Sequence, residues 1–263
     1  MEILVCARRV PETSENEIEL NSAGNDIERD DLVYSINEPD NYAVEEALRI
    51  VERAGGSVTV ASVGGEEDEE ILRREMAMGA KHGVLLSDEA FSGSDGRGIA
   101  AVLKAFIAKG HYDLVLTGVQ AEDGAAQVGG MLAAMLDYPF ASLVTSIEVL
   151  DGKRLKIGRE IEGGNKEINE IDLPCVLSIQ TGINEPRYVG MRGIRQVASV
   201  PIPTLGSADL GLEAGAVGDA AAKVKRVDYF VPPLGKGAEM LTGGREEMID
   251  ELMELLIARG GLK

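Results

Sequence analysis

The residues with the most chemical promise lie in one run, Gly118-Val119-Gln120-Ala121-Glu122-Asp123-Gly124-Ala125-Ala126-Gln127-Val128-Gly129-Gly130. Its glycines let the main chain approach a ligand closely, and its alanines leave room for one. The run feeds a helix, whose free N–H groups and dipole suit a phosphate placed just ahead of it. No Lys or Arg lies within it, so an anion would rest on backbone amides and on Gln120 and Gln127. The spacing fits neither a Walker A loop nor GxGxxG. On these residues alone, nucleotide binding and a plain strand–turn–helix connection both stay open.

Other chemistries find little support. Only two histidines occur, His82 and His111, and no CxxC or His/Cys cluster, so no metal site is expected. Cys6 and Cys175 each sit in an apolar run and read as small buried hydrophobes. No Ser/His/Asp or Cys/His arrangement is formed, and the carboxylates crowd helix first turns and polar faces, so no catalytic residue is expected. With 45 Asp+Glu against 26 Lys+Arg, the formal charge of −19 repels phosphate polymers and anionic membrane surfaces. Aromatic residues are only 4%, with no Trp, so stacking platforms for single strands are scarce as well.

The elements that would position the loop follow a clear rhythm. Ile3–Ala7 is an apolar run of strand length. Ala43, Ala47, Leu48 and Val51 recur at helical spacing, after Asp40 or Asn41 as N-cap and before Gly55 as a stop. Further strands are expected over 57–63, 83–87 and 113–117, with helices over 66–78 and 95–109 and another after the Gly-rich loop. Strands alternating with helices at this pitch predict a Rossmann-like α/β fold, a parallel sheet with helices on both faces. Later strands over 142–149, 154–157 (around the hairpin signal Asp151-Gly152) and 175–179 are expected to extend the sheet edge in antiparallel fashion.

In such a sheet, ligands sit beyond the carboxyl ends of the strands, where the strand order reverses. The pieces that fall there are Cys6–Arg9, Ser35–Asp40, Val63-Gly64-Gly65 and the Gly118–Gly130 loop. After about residue 181 periodicity is lost. Residues 1–181 are therefore read as one α/β domain, the one that would hold any nucleotide, and 182–263 as a loop and an extended C-terminal arm. The arm ends in a helix over 245–258 whose apolar stripe (Met248, Ile249, Leu252, Met253, Leu255, Leu256) must be buried against something. There is no run of 18 apolar residues and no signal-like leader, which predicts a cytoplasmic protein without membrane insertion.

Taken together, these pieces resemble the β subunit of electron transfer flavoprotein, across essentially the whole chain. The matching blocks include Leu4–Val10, Ser35–Asn37 with Ala43–Ala47, Ala77–Ala80, Asp113–Ala121 with Asp123, Arg159–Gly164, Leu173-Pro174 and, most specifically, Asn184-Glu185-Pro186-Arg187-Tyr188. The resemblance implies an electron carrier and not a classical catalyst: a heterodimer with an α subunit that holds an FAD, possessing AMP or a second FAD in the β subunit. Carried over, the cofactor-binding residues would be Cys6, Asn37, Asp40, Val63, Gly118, Val119, Gln120, Ala121, Asp123, Gly124, Ala125, Ala126, Gln127, Val128 and Gly129. Glu160 would meet the α subunit. Asn184, Glu185, Pro186, Arg187, Tyr188, Met191 and Ile194 would belong to a recognition loop that docks an acyl-CoA-type or other flavin dehydrogenase, with Met191 as its hydrophobic anchor. The run Asp123–Gly129 is similar to the form found in FAD-holding relatives, although one residue shorter, so a second FAD is the expected occupant and AMP the alternative. The competing reading is a stand-alone adenine-nucleotide binder of similar fold with no redox role.

Overall fold

The computed structural model describes residues 1–262 apart from Thr13, Glu122, Asp123, Leu234, Lys236 and Glu239. The chain starts with β1 (Glu2–Cys6), a short antiparallel ribbon of β2 (Arg9–Pro11) and β3 (Tyr34–Ile36), and helix α1 (Glu38–Ala54). Alternation follows: β4 (Ser57–Val63), α2 (Glu69–Met78), β5 (His82–Leu86), α3 (Gly96–Ile107), β6 (Leu114–Gly118) and α4 (Val128–Leu136). Then come β7 (Phe140–Val149), β8 (Arg154–Ile161), β9 (Asn165–Asp172) and β10 (Cys175–Ile179). The chain continues through α5 (Met191–Val197), β11 (Thr204–Leu205), α6 (Ser207–Leu210) and finally α7 (Arg245–Ala258).

Among the described residues, nine strands form one sheet in the order β11-β5-β4-β1-β6-β10-β7-β8-β9. From β11 to β7 neighbours run parallel, and β7, β8 and β9 form an antiparallel meander. The alternation of side chains along a strand distributes the core. Ile3 and Val5 of β1 pack with Ala43, Val44, Leu48 and Leu72 of α1 and α2. Leu4 faces the other way, with Leu103 and Phe106 of α3 and Leu132 of α4. Helices therefore cover both faces, as the strand–helix rhythm predicts. The strands reach full burial without alternation, as parallel strands covered on both sides must.

Two features depart from the sequence reading. Strand β10 does not join the antiparallel edge; it inserts between β6 and β7, parallel to both. Its five residues are all buried, so it fits only inside the sheet. Strand β9 was not anticipated from its polar, mostly exposed sequence, and its pairing with β8 closes the far edge.

By internal packing the chain divides into two compact units, Met1–Glu19 with Glu28–Val227, and Leu20–Ile27 with Asp228–Lys263. The first holds the sheet and also residues 182–227, which carry α5, β11 and α6 where the sequence shows little periodicity. The second holds α7, on which no residue is buried; Ile249, Leu252, Met253 and Ile257 are all exposed. No helix among the described residues is long and apolar enough to cross a membrane.

Candidate functional site

Strands β4 and β5 lie on one side of β1 and β6 lies on the other, so the strand order reverses between β1 and β6. The carboxyl ends of these two strands carry the site. Strand β1 ends at Cys6, β4 at Val63 and β6 at Gly118, which brings three of the predicted pieces to one rim.

The start of α1 is what joins them. Local sequence suggests Asp40 or Asn41 as its cap, but the helix begins earlier, with Asn37 at the N-cap position and no side-chain cap hydrogen bond. The side chains are engaged elsewhere. Asn37 Nδ2 donates to the Gln120 carbonyl at 2.9 Å, fastening the helix start to the loop after β6. The Asp40 carboxylate accepts the Gly118 N–H at 2.7 Å and the Arg8 N–H at 2.9 Å, spanning the ends of β1 and β6. Burial pushes its carboxyl up to about 7, against hydrogen bonds that favour the ionised form. Burial and then the nearby Asp40 also push the Cys6 thiol up, so it stays an uncharged thiol at the end of β1.

Glycine is required at two points of this rim. A Cβ on Gly118 would stand 2.4 Å from Asp40 Oδ1, and one on Gly129 would stand 2.2 Å from Ser178 Oγ. Gly129 lies in the first turn of α4, over a buried hydroxyl pair in which Thr117 Oγ1 and Ser178 Oγ are 2.9 Å apart. Helix α4 starts after Gln127 without a side-chain cap, which leaves its first amides available to an anion. Ahead of it, Gly124 (φ 63°) and Ala126 (φ 50°) take left-handed conformations, and the Gly124 N–H closes a turn onto the Ala121 carbonyl at 2.9 Å. Ala125 and Val128 complete this stretch, whereas Asp123 lies outside the described residues.

A cleft of about 550 Å³ opens on the same end of the sheet. Asn37, Val119, Gln120 and Ala121 of the predicted set line it, and so do Arg74 and Gln180, which the sequence reading did not single out. Arg74 supplies the cation that the Gly-rich loop lacks; it comes from α2, so only helix packing reveals it. Next to it in sequence, Glu75 is fully buried and neither of its oxygens has a hydrogen-bond partner among the described residues. Burial pushes its carboxyl up to about 8; Arg74 opposes this and Asp40 adds to it. Gln180 also lines a second cleft of about 490 Å³ with Leu143, Arg159, Glu160, Ile161 and Glu162. There Gln180 Nε2 donates to Glu160 Oε2 at 3.3 Å, and Leu143 holds a left-handed φ of 59° where β7 bulges. Glu160 thus stands beside the strand-end cleft through Gln180, a neighbour that its own sequence block does not indicate.

The recognition-loop residues divide in two. Tyr188, Met191 and Ile194 are exposed, Tyr188 at 93% and Met191 at 65%. Asn184 and Arg187 instead turn inward onto α1, and Glu185 is bound through its carbonyl by Arg49. Pro186 leads into this turn. Among the described residues no group of three or more His, Cys, Asp or Glu could hold a metal ion.

A left-handed turn lies ahead of α4, and Ile36, Pro39, Val119 and Ala121 give the cleft apolar walls of the kind that take a flat ring. Residues 25–210 match the model of the electron transfer flavoprotein domain. The chain is 36% identical over 260 residues to the electron transfer flavoprotein subunit beta of Methylophilus methylotrophus, covering 97% of this chain and 98% of that one. It is also 36% identical to the electron transfer flavoprotein subunit beta of Thermoanaerobacterium thermosaccharolyticum, covering 98% and 99%. To the caffeyl-CoA reductase-Etf complex subunit CarD of Acetobacterium woodii it is 39% identical, covering 92% of both. With the family model spanning most of the sheet and the relatives matching end to end, the chain belongs to the electron transfer flavoprotein family, as a β subunit.

Proposed function

We propose that this chain pairs with an α subunit and helps enclose an FAD that takes electrons from a flavin dehydrogenase and passes them to an acceptor. Within this chain, the strand-end site holds a second FAD, with AMP as the competing occupant. The observation that carries the reading is the pair of bridges from the start of α1, Asn37 to Gln120 and Asp40 to Gly118. They fasten the Val119–Ala121 backbone to the start of α1, where it forms one wall of the cleft. Gly118 and Gly129 let the end of β6 and the start of α4 pack closely against their neighbours, Gln127 and the first amides of α4 would hold phosphate, and Arg74 would offset its charge. Glu160, on the rim of the neighbouring cleft, would face the α subunit. The flavin supplies the redox chemistry when bound. The protein excludes water, orients the ring and sets the field around it. Met191 and Tyr188 would present the docking surface to the dehydrogenase.

Acid extraction of the heterodimer, purified after co-expression with its α subunit, tests the assignment. Two FAD and no AMP per heterodimer supports it. One FAD with one AMP would replace the second flavin by a structural nucleotide, and one FAD alone would leave the strand-end site without a role.

A further inference from the structure

The segment that carries Tyr188 and Met191 is held at both ends by this chain's own helices. At its root, Arg187 forks onto Glu45 of α1, with Nε to Oε2 at 2.8 Å and Nη2 to Oε1 at 3.2 Å, and its Nη1 reaches Glu52 at 2.7 Å. The Arg187 N–H also donates to Glu45 Oε2 at 3.1 Å. Asn184 Nδ2 donates to the Tyr42 carbonyl and to Glu46, and Arg49 binds both Glu45 and the Glu185 carbonyl. At the far end, Arg73 of α2 donates to the carbonyls of Val197 (2.9 Å) and Val200 (3.2 Å), closing the C-terminus of α5. Gly193 meets α2 so closely that a Cβ there would lie 3.2 Å from the Ala77 carbonyl.

An exposed seven-residue helix has no stability of its own, so α5 keeps its shape through these attachments and through Val189, Val197 and Val200, which pack against the core. Glu45 is only 2% exposed, and a buried ion pair adds little net stability compared with apolar residues of the same shape. What a forked guanidinium does supply is geometry. A loop already ordered before docking avoids the entropy cost of ordering during it.

We propose that Arg187 and Arg73 are positioning residues that hold the recognition segment, Met191 foremost, in its docking geometry before any partner arrives. This rests on the reading of that segment as the dehydrogenase-docking surface. The resemblance assigns Arg187 to partner contact; its guanidinium instead serves α1, leaving Arg192 and Arg195 as the exposed cations beside Met191. The partner surface this fits is an apolar socket with an acidic rim.

The test uses the co-purified heterodimer, hydrogen exchange across residues 184–200, and electron transfer from a purified short-chain acyl-CoA dehydrogenase with its acyl-CoA. Arg187→Ala and Arg73→Ala are expected to speed exchange through 188–197 at least tenfold. They should raise the KM for the dehydrogenase about fivefold or more, with kcat and bound flavin unchanged. Arg187→Lys should restore the charge but only part of the KM. Should Arg187→Ala fail to fold, Arg73→Ala, on the surface of α2, carries the test. Unchanged exchange in the variants overturns the clamp whatever the kinetics, and faster exchange with unchanged KM overturns its part in docking. Met191→Ala separates the two ideas: raised KM with wild-type exchange supports docking through the segment, while unchanged KM overturns the docking reading without bearing on the exchange result.

Discussion

Gly118, Gly129 and the buried acids Asp40 and Glu75 are the residues on which the site depends most directly. A methyl group on Gly118 would collide with the Asp40 carboxylate and with Pro39 Cβ at 2.8 Å, pushing the start of α1 off the end of β6. Overpacking of this kind costs about 1–3 kcal/mol. Gly118→Ala is therefore expected to lower the melting temperature and to strip nucleotide from the purified heterodimer, as counted by acid extraction; full nucleotide content would show that the rim does not need this contact. The acids predict a pH dependence. Both are raised in the folded protein, Asp40 to about 7 and Glu75 to about 8. A carboxyl raised on folding binds its proton more tightly in the native state. Its stabilisation is complete below the unfolded value, near about 4, and is lost as pH rises through 7 and 8. Urea midpoints should accordingly fall from about pH 4 to about pH 8 and level off above that. Glu75→Gln, which keeps the shape without the charge, should show a clearly smaller fall over that range. Parallel curves for the two proteins would mean that Glu75 is not the group that titrates.

Helix α1 matters at the next scale because it serves two surfaces. Its first turn carries Asn37 and Asp40 to the cleft, and Glu45, Glu46, Arg49 and Glu52 further along hold the root of the recognition segment. The spacing is that of a helix: Glu45, Arg49 and Glu52 lie on one face, four and three residues apart. Burial works to raise Glu45, but the hydrogen bonds from Arg187 and Arg49 outweigh it and hold the carboxyl below its ordinary range. It therefore stays ionised and can keep its grip. Helix α5 presents Met191 at its first position, with Arg192 and Arg195 exposed around it. Methionine in such a place adapts to an apolar socket. Met191→Ala is expected to slow transfer from the dehydrogenase about tenfold, which corresponds to roughly 1.4 kcal/mol of lost contact, with bound flavin intact. Unaltered transfer rates would remove Met191 from the docking surface.

For the whole molecule, the two compact units carry different expectations. The unit built on the sheet has core clusters on both faces and is closed by polar ties along residues 200–224. Asp88 accepts from Ser207, and Asp95 accepts from the amides of Lys223 and Val224. The unit of 20–27 with 228–263 contributes no residue to these clusters among the described residues. Phe230, Val231 and Met240 are exposed along with the apolar residues of α7. Apolar surface of that extent marks an interaction site. Expressed alone, the chain is therefore expected to self-associate and to be cut by protease within 228–262, and co-expression with the α subunit should suppress both. A monodisperse lone chain resistant over 228–262 would show that this segment needs no partner.

The sequence by itself determined the parallel alternation, because fully buried strands and amphipathic helices announce themselves through local hydrophobic period. Ser57–Val63, Cys175–Ile179 and the helix over 245–258 were legible in this way, as were the Gly-rich loop and the family block at Asn184–Tyr188. Tertiary structure alone decided the rest. The place of β10 between β6 and β7 depends on which strands remain unpaired once the helices have covered both faces, and no local pattern encodes that. Strand β9 is too polar to signal itself and exists because β8 offers it an edge. Arg74 and Gln180 reach the cleft from separate elements, so their chemistry shows only after packing. Most telling are Arg187 and Glu45, 142 residues apart: the sequence supplies both charges, but only the fold brings the guanidinium onto a buried carboxylate instead of leaving it free for a partner.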